Sequence, residues 1–200
     1  MAFPGTFVLD RQSRVTARFF EEVYNERNTV SSVMMRLDGG AAVTGTRIST
    51  AHLDVTAFPS DSSIAPGNRF TLAFDIVPHR GMHVYAPGAS GYRVIRFNAE
   101  PQPFVRLFPI DYPTSEIYFF KPLNERVPVF QKPFTLKQDV VLEASPQAQA
   151  AWRGKETLTV KGSLEYQACD DKICYNPESI PLSLTLTLRP LVFERPVRQP

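Results

Sequence analysis

Apolar and polar side chains alternate along several stretches of this 200-residue chain. Residues 70–76 place phenylalanine, leucine and isoleucine at every second position, and residues 180–188 do the same with isoleucine and leucine. Residues 53–57 and 158–168 repeat the pattern. Alternation with a period of two is typical of strands that bury one face. The pattern predicts a mainly β domain, an antiparallel sandwich over residues 50–190.

The residues before this domain follow a different pattern. Short apolar runs at 6–10 and 15–19 flank a polar turn, which predicts a β-hairpin. A helix is predicted to open at Glu21 and Glu22 and to stop at Gly39 and Gly40. We therefore divide the chain into a hairpin and helix over 1–39, a linker over 40–49, the sandwich, and a tail over 191–200.

The chain contains two cysteines, Cys169 and Cys174, and both lie in the predicted hairpin between two alternating strands. The four residues between them can form a turn that sets the cysteines opposite one another, within reach of a disulfide. The stabilisation expected from closing so short a loop is only about 2 kcal/mol. A redox role explains the pair better than stabilisation does.

Three other interpretations of the cysteines stay open, namely a structural disulfide, a metal site and two free thiols. A zinc site is disfavoured because the C-x4-C spacing lacks the usual two-residue knuckle, and the three histidines (His52, His79 and His83) form no obvious cluster. The acidic residues Asp170 and Asp171 should raise the thiol pKa values. We therefore expect the disulfide to be attacked by a partner's thiolate.

The segment Tyr-Gln-Ala-Cys-x4-Cys-Tyr-Asn-Pro-Glu, at 166–178, resembles the cysteine hairpin of the N-terminal domain of the thiol:disulfide interchange protein DsbD. The stretches Met-His-Val-Tyr at 82–85 and Ser-Glu-Ile-Tyr at 115–118 support the resemblance. It implies an immunoglobulin-like sandwich in the periplasm that exchanges electrons with thioredoxin-fold proteins and needs no cofactor. The loop between the cysteines is one residue shorter here than in the best-known members of the family.

The resemblance also implies roles for residues outside the cysteine hairpin. His83 and Tyr85 would lie beside the disulfide, and the loop Ile110–Pro113 would cap it, with Asp111 in the loop and Tyr112 as the lid. The second cysteine, Cys174, would form the mixed disulfide with the partner.

A second resemblance concerns the first residues. Phe-Pro-Gly-Thr-Phe-Val-Leu-Asp, at 3–10, resembles the stretch after the cis-proline of thioredoxin-like redoxins, with Pro4 in the place of that proline. It implies that the chain opens inside the final part of a redoxin fold, to which the sandwich would be fused. The alternative is a hairpin and helix that pack on the sandwich.

Composition narrows the classes of function. The formal net charge is +2 with scattered basic residues, which argues against a nucleic-acid partner. No stretch is long and apolar enough to span a membrane, and the first residues do not resemble a signal peptide. The cysteine pair and the family resemblance together predict a protein thiol:disulfide oxidoreductase without a metal or other cofactor. The alternatives are a sandwich interaction domain with a structural disulfide and an accessory domain of a peroxide-reducing redoxin.

Overall fold

The computed structural model describes residues 5–20, 26–37, 45–121 and 124–190. Most of these residues form strands. The strands are β1 (Gly5–Leu9), β2 (Val15–Phe20), β3 (Arg27–Asn28), β4 (Thr46–Ser49), β5 (Leu53–Pro59), β6 (Ser63–Ile64), β7 (Asn68–Pro78), β8 (His83–Tyr85), β9 (Arg96–Ala99), β10 (Val105–Asp111), β11 (Glu116–Phe120), β12 (Glu125–Phe130), β13 (Phe134–Leu142), β14 (Thr157–Tyr166), β15 (Ala168–Cys169) and β16 (Glu178–Leu188). The helices in the described ranges are α1 (Val30–Arg36) and α2 (Pro146–Trp152).

Three sheets build the sandwich. The largest has the strand order β10-β13-β7-β5-β4, with β3 added in parallel beside β7. A second sheet has the order β6-β16-β14-β9, and a third has the order β11-β12-β8-β15. The pairings are antiparallel except β3 with β7 and β6 with β16. The predicted mainly β, antiparallel sandwich is confirmed.

The main core lies between the first two sheets. On β16 every second residue from Ile180 to Leu188 is buried and the residues between them face outward. The opposite wall comes from β7, where Phe70, Leu72, Phe74 and Ile76 are fully buried. Phe74 meets Phe97 of β9 with ring centroids 4.8 Å apart. The period of two in the sequence therefore marks the core correctly.

The N-terminal hairpin is present as β1 and β2, and in the described part of the chain it pairs with no third strand. The helix prediction was wrong for residues 27 and 28, which form β3. Residues 21–25 and Gly39 and Gly40 lie outside the described residues, but Arg27 and Asn28 pair with β7, and α1 begins only at Val30. The Thr29 hydroxyl caps it by accepting the Ser32 N–H at 3.0 Å. Pairing with a distant strand overrides the local helical pattern.

The predicted linker also contains structure. Residues 40–44 are outside the described ranges, but β4 pairs with β5 from Thr46 opposite Ala57 to Ser49 opposite Asp54. Ile48 is partly buried against the main core, which explains why this small and polar stretch forms an edge strand. The linker prediction is therefore wrong for 46–49. Pro4 and the tail over 191–200 lie outside the described residues, and the relation to a redoxin fold stays a prediction.

Candidate functional site

The cysteine hairpin is formed by β15, a tight turn and the chain that returns beside it. Cys169 and Cys174 are opposite one another in an antiparallel bridge, with their Cα atoms 4.1 Å apart, and they form a disulfide. Backbone hydrogen bonds lie on either side of the pair, from Tyr175 N–H to the Ala168 carbonyl at 2.9 Å and from Asp170 N–H to the Ile173 carbonyl at 3.0 Å. The cysteines thus occupy a non-hydrogen-bonded position, where opposite side chains approach closely.

Asp170 builds the turn of this hairpin. Its Oδ1 accepts the N–H groups of Lys172 and Ile173, each at 2.8 Å, and its Oδ2 accepts the Tyr175 hydroxyl at 3.0 Å. The N–H groups of Ile173 and then Lys172 hold the pKa of this carboxyl below its usual range. The carboxylate therefore has a structural task in the turn, which the sequence analysis did not assign to it.

Tyr85, a residue of the sheet, donates hydrogen bonds to the disulfide. It lies at the end of β8, which pairs with β15 on one side and with β12 on the other. Its hydroxyl is 2.9 Å from Cys169 Sγ and 3.2 Å from Cys174 Sγ. Since disulfide sulfurs carry no hydrogen, Tyr85 is the donor to both. Burial raises the pKa of Tyr85 far above its usual value, so the hydroxyl stays protonated. The structure thus brings this sequence-predicted residue to the sulfurs.

His83 lies directly opposite Cys169 in the pairing of β8 with β15. Its ring packs against the Tyr118 ring with centroids 4.5 Å apart, and its buried Nε2 makes no hydrogen bond. Burial lowers the pKa of His83, and the negative charge of Asp170 opposes this only in part. The imidazole beside the disulfide is therefore neutral at neutral pH.

The two sulfurs are not equally accessible. Cys169 is fully buried, in a small cluster with Tyr85, Val127 and Val129. Cys174 is only partly buried at the edge of that cluster, next to the exposed turn. An attacking thiolate can therefore approach Cys174 more easily than Cys169.

The predicted cap residues lie at and just after the end of β10. Ile110 and Asp111 are the last residues of β10, and Asp111 is exposed opposite Lys137. Tyr112 packs on the main core and donates its hydroxyl to the Ile95 carbonyl at 2.8 Å. Neither Asp111 nor Tyr112 belongs to the buried cluster that contains Cys169. Their role as a cap over the disulfide stays a prediction.

Two other tyrosines pack on the sulfur cluster. Tyr118 comes from β11, and Tyr92 comes from the loop between β8 and β9. The Tyr92 ring is stacked on the Tyr85 ring, with centroids 4.0 Å apart and planes 13° apart. The sequence analysis assigned no role to either residue. Tyr118 could have been found from the Ser-Glu-Ile-Tyr match, whereas no local signal identifies Tyr92.

A second set of contacts supports the residue that follows Cys174. The His52 ring lies 4.3 Å from the Tyr175 ring, and His52 Nδ1 is 2.9 Å from Glu178 Oε1. Glu178 also accepts the Tyr166 hydroxyl at 2.6 Å. These contacts fix the returning arm of the cysteine hairpin against β14.

Among the described residues, no three His, Cys, Asp or Glu side chains lie close enough together to hold a metal ion. Neither described helix has the length and apolar character needed to cross a bilayer.

Comparison with known proteins assigns the fold. The family model described as "Thiol:disulfide interchange protein DsbD, N-terminal" matches residues 53–185. Among solved structures, the N-terminal periplasmic domain of ScsB from Proteus mirabilis is similar, with a TM-score of 0.51 and 12% identity. That match covers 71% of this chain and 51% of the ScsB chain, so this chain spans about half of the solved domain. A search of the curated proteins finds no match.

Proposed function

This chain belongs to the family of DsbD N-terminal domains, and from that premise we propose that it relays electrons between thioredoxin-fold proteins by opening and closing the Cys169–Cys174 disulfide. Family and disulfide together identify a thiol:disulfide exchange domain. The main support for the relay is the Tyr85 hydroxyl, which donates hydrogen bonds to both sulfurs of the disulfide. One of these sulfurs, that of Cys174, is accessible to a partner.

The reaction begins with a thiolate of the reduced donor protein. It attacks Cys174 Sγ, a bond forms between the donor sulfur and Cys174, and the bond between Cys174 and Cys169 breaks. The electron pair of that bond leaves on Cys169 Sγ, which becomes a thiolate. Tyr85 already donates to this sulfur, so the developing negative charge meets a hydrogen-bond donor that needs no rearrangement.

The second thiolate of the donor then completes the transfer. It attacks the donor's own sulfur in the mixed disulfide, which releases Cys174 as a thiolate and leaves the donor oxidised. Protonation of both cysteines yields the dithiol, so two electrons and two protons have been gained. The reverse sequence, with Cys174 attacking a disulfide of the acceptor, returns the domain to its starting state.

The proposal includes the cellular compartment of the domain and its fusion to a redoxin fold. The solved relative is a periplasmic domain, and disulfides form and persist mainly in oxidising compartments. We place this domain outside the cytoplasm for these two reasons. The hairpin and helix at 1–39 remain our candidate for the final part of a fused redoxin fold, supported by the sequence resemblance.

The first test is the midpoint potential of the cysteine pair, measured by alkylating free thiols after equilibration in a graded glutathione series. A relay predicts a midpoint between about −180 and −270 mV, the range of known exchange proteins. A disulfide that stays closed below about −300 mV would instead be a structural disulfide, and the relay would be wrong.

A trapping experiment tests the assignment of the attacked sulfur. A thioredoxin variant that retains one active-site cysteine, activated as its thionitrobenzoate adduct, is mixed with Cys169→Ser or with Cys174→Ser. Cys169→Ser should form the mixed disulfide quickly through Cys174, and Cys174→Ser should react slowly because Cys169 is buried. Equal rates would contradict the assignment of Cys174.

A further inference from the structure

The imidazole of His83 lies beside the disulfide, and the exchange reaction described so far assigns no task to it. We propose that His83 is the general base that takes the proton from the Cys169 thiol when the reduced domain closes its disulfide again. This inference rests on the proposed exchange function and names the proton acceptor for one of its steps.

The sheet places His83 and Cys169 next to one another. The two residues are direct partners in the antiparallel pairing of β8 with β15. Opposite residues on one face of such a pair have Cβ atoms about 5 Å apart, a gap that an imidazole ring can cross. Tyr85 is the next residue of β8 on the same face, and its hydroxyl reaches the Cys169 sulfur. His83 therefore lies on the side of the sheet that carries this sulfur.

One ring nitrogen of His83 is available for a proton. His83 is 2% exposed, and its Nε2 is a buried atom that makes no hydrogen bond. A buried polar atom without a partner destabilises the folded protein, and a catalytic task is one reason for such an atom to be present. In the tautomer with its hydrogen on Nδ1, Nε2 is an unoccupied acceptor. Burial lowers the pKa of His83, so the neutral, basic form is present at neutral pH.

The neighbours of Cys169 are poorly suited to accept its proton. Cys169 is fully buried, so bulk water does not reach its sulfur. Tyr85 is a hydrogen-bond donor whose pKa is raised far above its usual value by burial, and it keeps its own proton. Tyr118, from β11, is a phenol as well and packs on the His83 ring with centroids 4.5 Å apart. The strand β12 contributes only valine side chains to this cluster.

Asp170 is the charged residue that acts on His83 in the described part of the chain. Its carboxylate accepts the turn N–H groups and the Tyr175 hydroxyl, and these bonds hold its pKa below the usual range. It is therefore a poor proton acceptor itself. Its negative charge favours the protonated form of His83 and opposes part of the effect of burial. His83 can thus hold a proton during the reaction and lose it again once the disulfide has closed.

The proposed step closes the disulfide after Cys174 has attacked a disulfide of the acceptor. Cys174 is then bonded to a sulfur of the acceptor, and Cys169 is a thiol. His83 Nε2 takes the proton of this thiol, and Cys169 Sγ attacks Cys174 Sγ. The bond between the two cysteines forms, the bond from Cys174 to the acceptor breaks, and its electron pair leaves on the acceptor's sulfur. The imidazolium then releases its proton to solvent, so the domain is oxidised and the acceptor is reduced.

Rapid mixing of the reduced domain with excess dithiobisnitrobenzoate tests this step, because each thiolate released from the reagent is coloured. The first is released when Cys174 attacks the reagent, at a rate that depends on reagent concentration. The second is released when Cys169 closes the disulfide, at a rate that does not. His83→Phe should slow this second phase roughly tenfold or more at neutral pH and leave the first unchanged. The first phase thus shows in the same trace that the variant is folded.

The dependence on pH separates a base from a residue that only shapes the site. With neutral His83 as the base, the rate of closure should be nearly constant from about pH 7 to 8. In His83→Phe, closure depends on the small thiolate fraction of Cys169, so the rate should rise about tenfold for each pH unit below the thiol pKa. His83→Gln keeps a hydrogen-bond acceptor but cannot hold the proton, and it should behave like His83→Phe.

His79→Phe is the matched control, since His79 follows β7, lies 3.4 Å from Asp54, and should leave both phases unchanged when replaced. Closure at the unsubstituted rate in His83→Phe, or equal slowing in His79→Phe, would overturn the proposal. Slower closure in the His83 variants with the pH profile of the unsubstituted domain would show a structural residue and would overturn it as well. The reagent replaces the protein partner, so the result stands even if the midpoint potential shows that the relay is wrong.

Discussion

The molecule contains two hairpins whose turns use the same chemistry. In the N-terminal hairpin of β1 and β2, Asp10 Oδ1 accepts two backbone N–H groups of its own turn, at 2.8 and 2.9 Å. In the cysteine hairpin, Asp170 Oδ1 does the same at 2.8 Å for both bonds. An aspartate at the start of a turn thus shapes both hairpins, as expected for a side chain that readily bonds its own backbone.

Their surroundings differ completely. In the N-terminal hairpin the side chains of Phe7, Leu9, Val15 and Phe20 are each more than half exposed. The cysteine hairpin instead continues a sheet through β8, and Cys169 is fully buried. The difference teaches that turn chemistry forms a hairpin, whereas burial on a sheet provides the controlled surroundings that a reactive disulfide needs.

The largest expected effect is on the free energy of unfolding. The same substitution, valine to alanine, is made in each hairpin's surroundings to test the difference in burial. Val129→Ala removes two buried methyl groups from the cluster around Cys169 and should lower the free energy of unfolding by about 2 kcal/mol. Val15→Ala in the N-terminal hairpin should change it by less than about 0.5 kcal/mol, because Val15 is 52% exposed.

Urea denaturation of the oxidised domain measures both variants. The slope of unfolding free energy against urea should match the unsubstituted protein in each case, so that midpoints report stability alone. If Val15→Ala cost as much as Val129→Ala, the N-terminal hairpin would be part of the cooperative core and the comparison would fail.

A smaller effect is expected when the hydrogen bonds from Tyr85 to the two sulfurs are removed. The N-terminal hairpin has no equivalent of these bonds. Tyr85→Phe keeps the buried ring but removes the donor to both sulfurs. A hydrogen bond to a charged acceptor is worth about 1.5 kcal/mol or more, so cleavage of the disulfide by reduced thioredoxin should slow roughly tenfold.

Stopped-flow mixing can follow this reaction. The control is Tyr118→Phe, since Tyr118 packs on the same cluster and its described contacts include no hydrogen bond to sulfur. Equal rates for Tyr85→Phe and the unsubstituted domain would remove Tyr85 from the mechanism.

Much of this architecture could be predicted because it depends on neighbours along the chain. The alternation that marks β16, and the four residues that separate Cys169 from Cys174, are local features, and each predicts its structure correctly. The predicted helix was wrong at Arg27 and Asn28 because they pair with β7, some forty residues away. No window of sequence contains that pairing.

The residues around the sulfurs were also hard to predict, because they come from distant parts of the chain. Tyr85 was found through a strand that the family resemblance aligned. Tyr112 was expected over the disulfide. Its ring packs on the main core and its hydroxyl donates to the Ile95 carbonyl, and its role as a lid stays a prediction. The position of Tyr92 depends on two glycines with positive φ and on Glu125, 33 residues away. Such a contact becomes visible only when the fold brings the partners together.

The smallest expected effect is the change in stability when the aspartate of either turn is replaced by asparagine. Asp170→Asn and Asp10→Asn each replace a carboxylate that accepts two turn N–H groups with an amide, which still accepts but carries no charge. At neutral pH, Asp170→Asn should lower the unfolding midpoint slightly, because the hydrogen bonds from the charged group to the turn and to Tyr175 become weaker. Asp10→Asn should leave the midpoint unchanged if its hairpin lies outside the cooperative core.

The dependence on pH separates this charge effect from a general effect of the substitution. Turn N–H groups hold the pKa of Asp170 in the folded protein below its ordinary value of 3.8. The carboxylate therefore stabilises the folded state at pH values above the unfolded pKa, and this stabilisation is lost as the pH falls through the folded pKa. The stability difference between the unsubstituted protein and Asp170→Asn should accordingly be constant near neutral pH and shrink from about pH 4 downward. A difference that persisted undiminished at about pH 2 would mean that Asp170 acts through shape and hydrogen bonding alone, and the two turns would then differ only in what surrounds them.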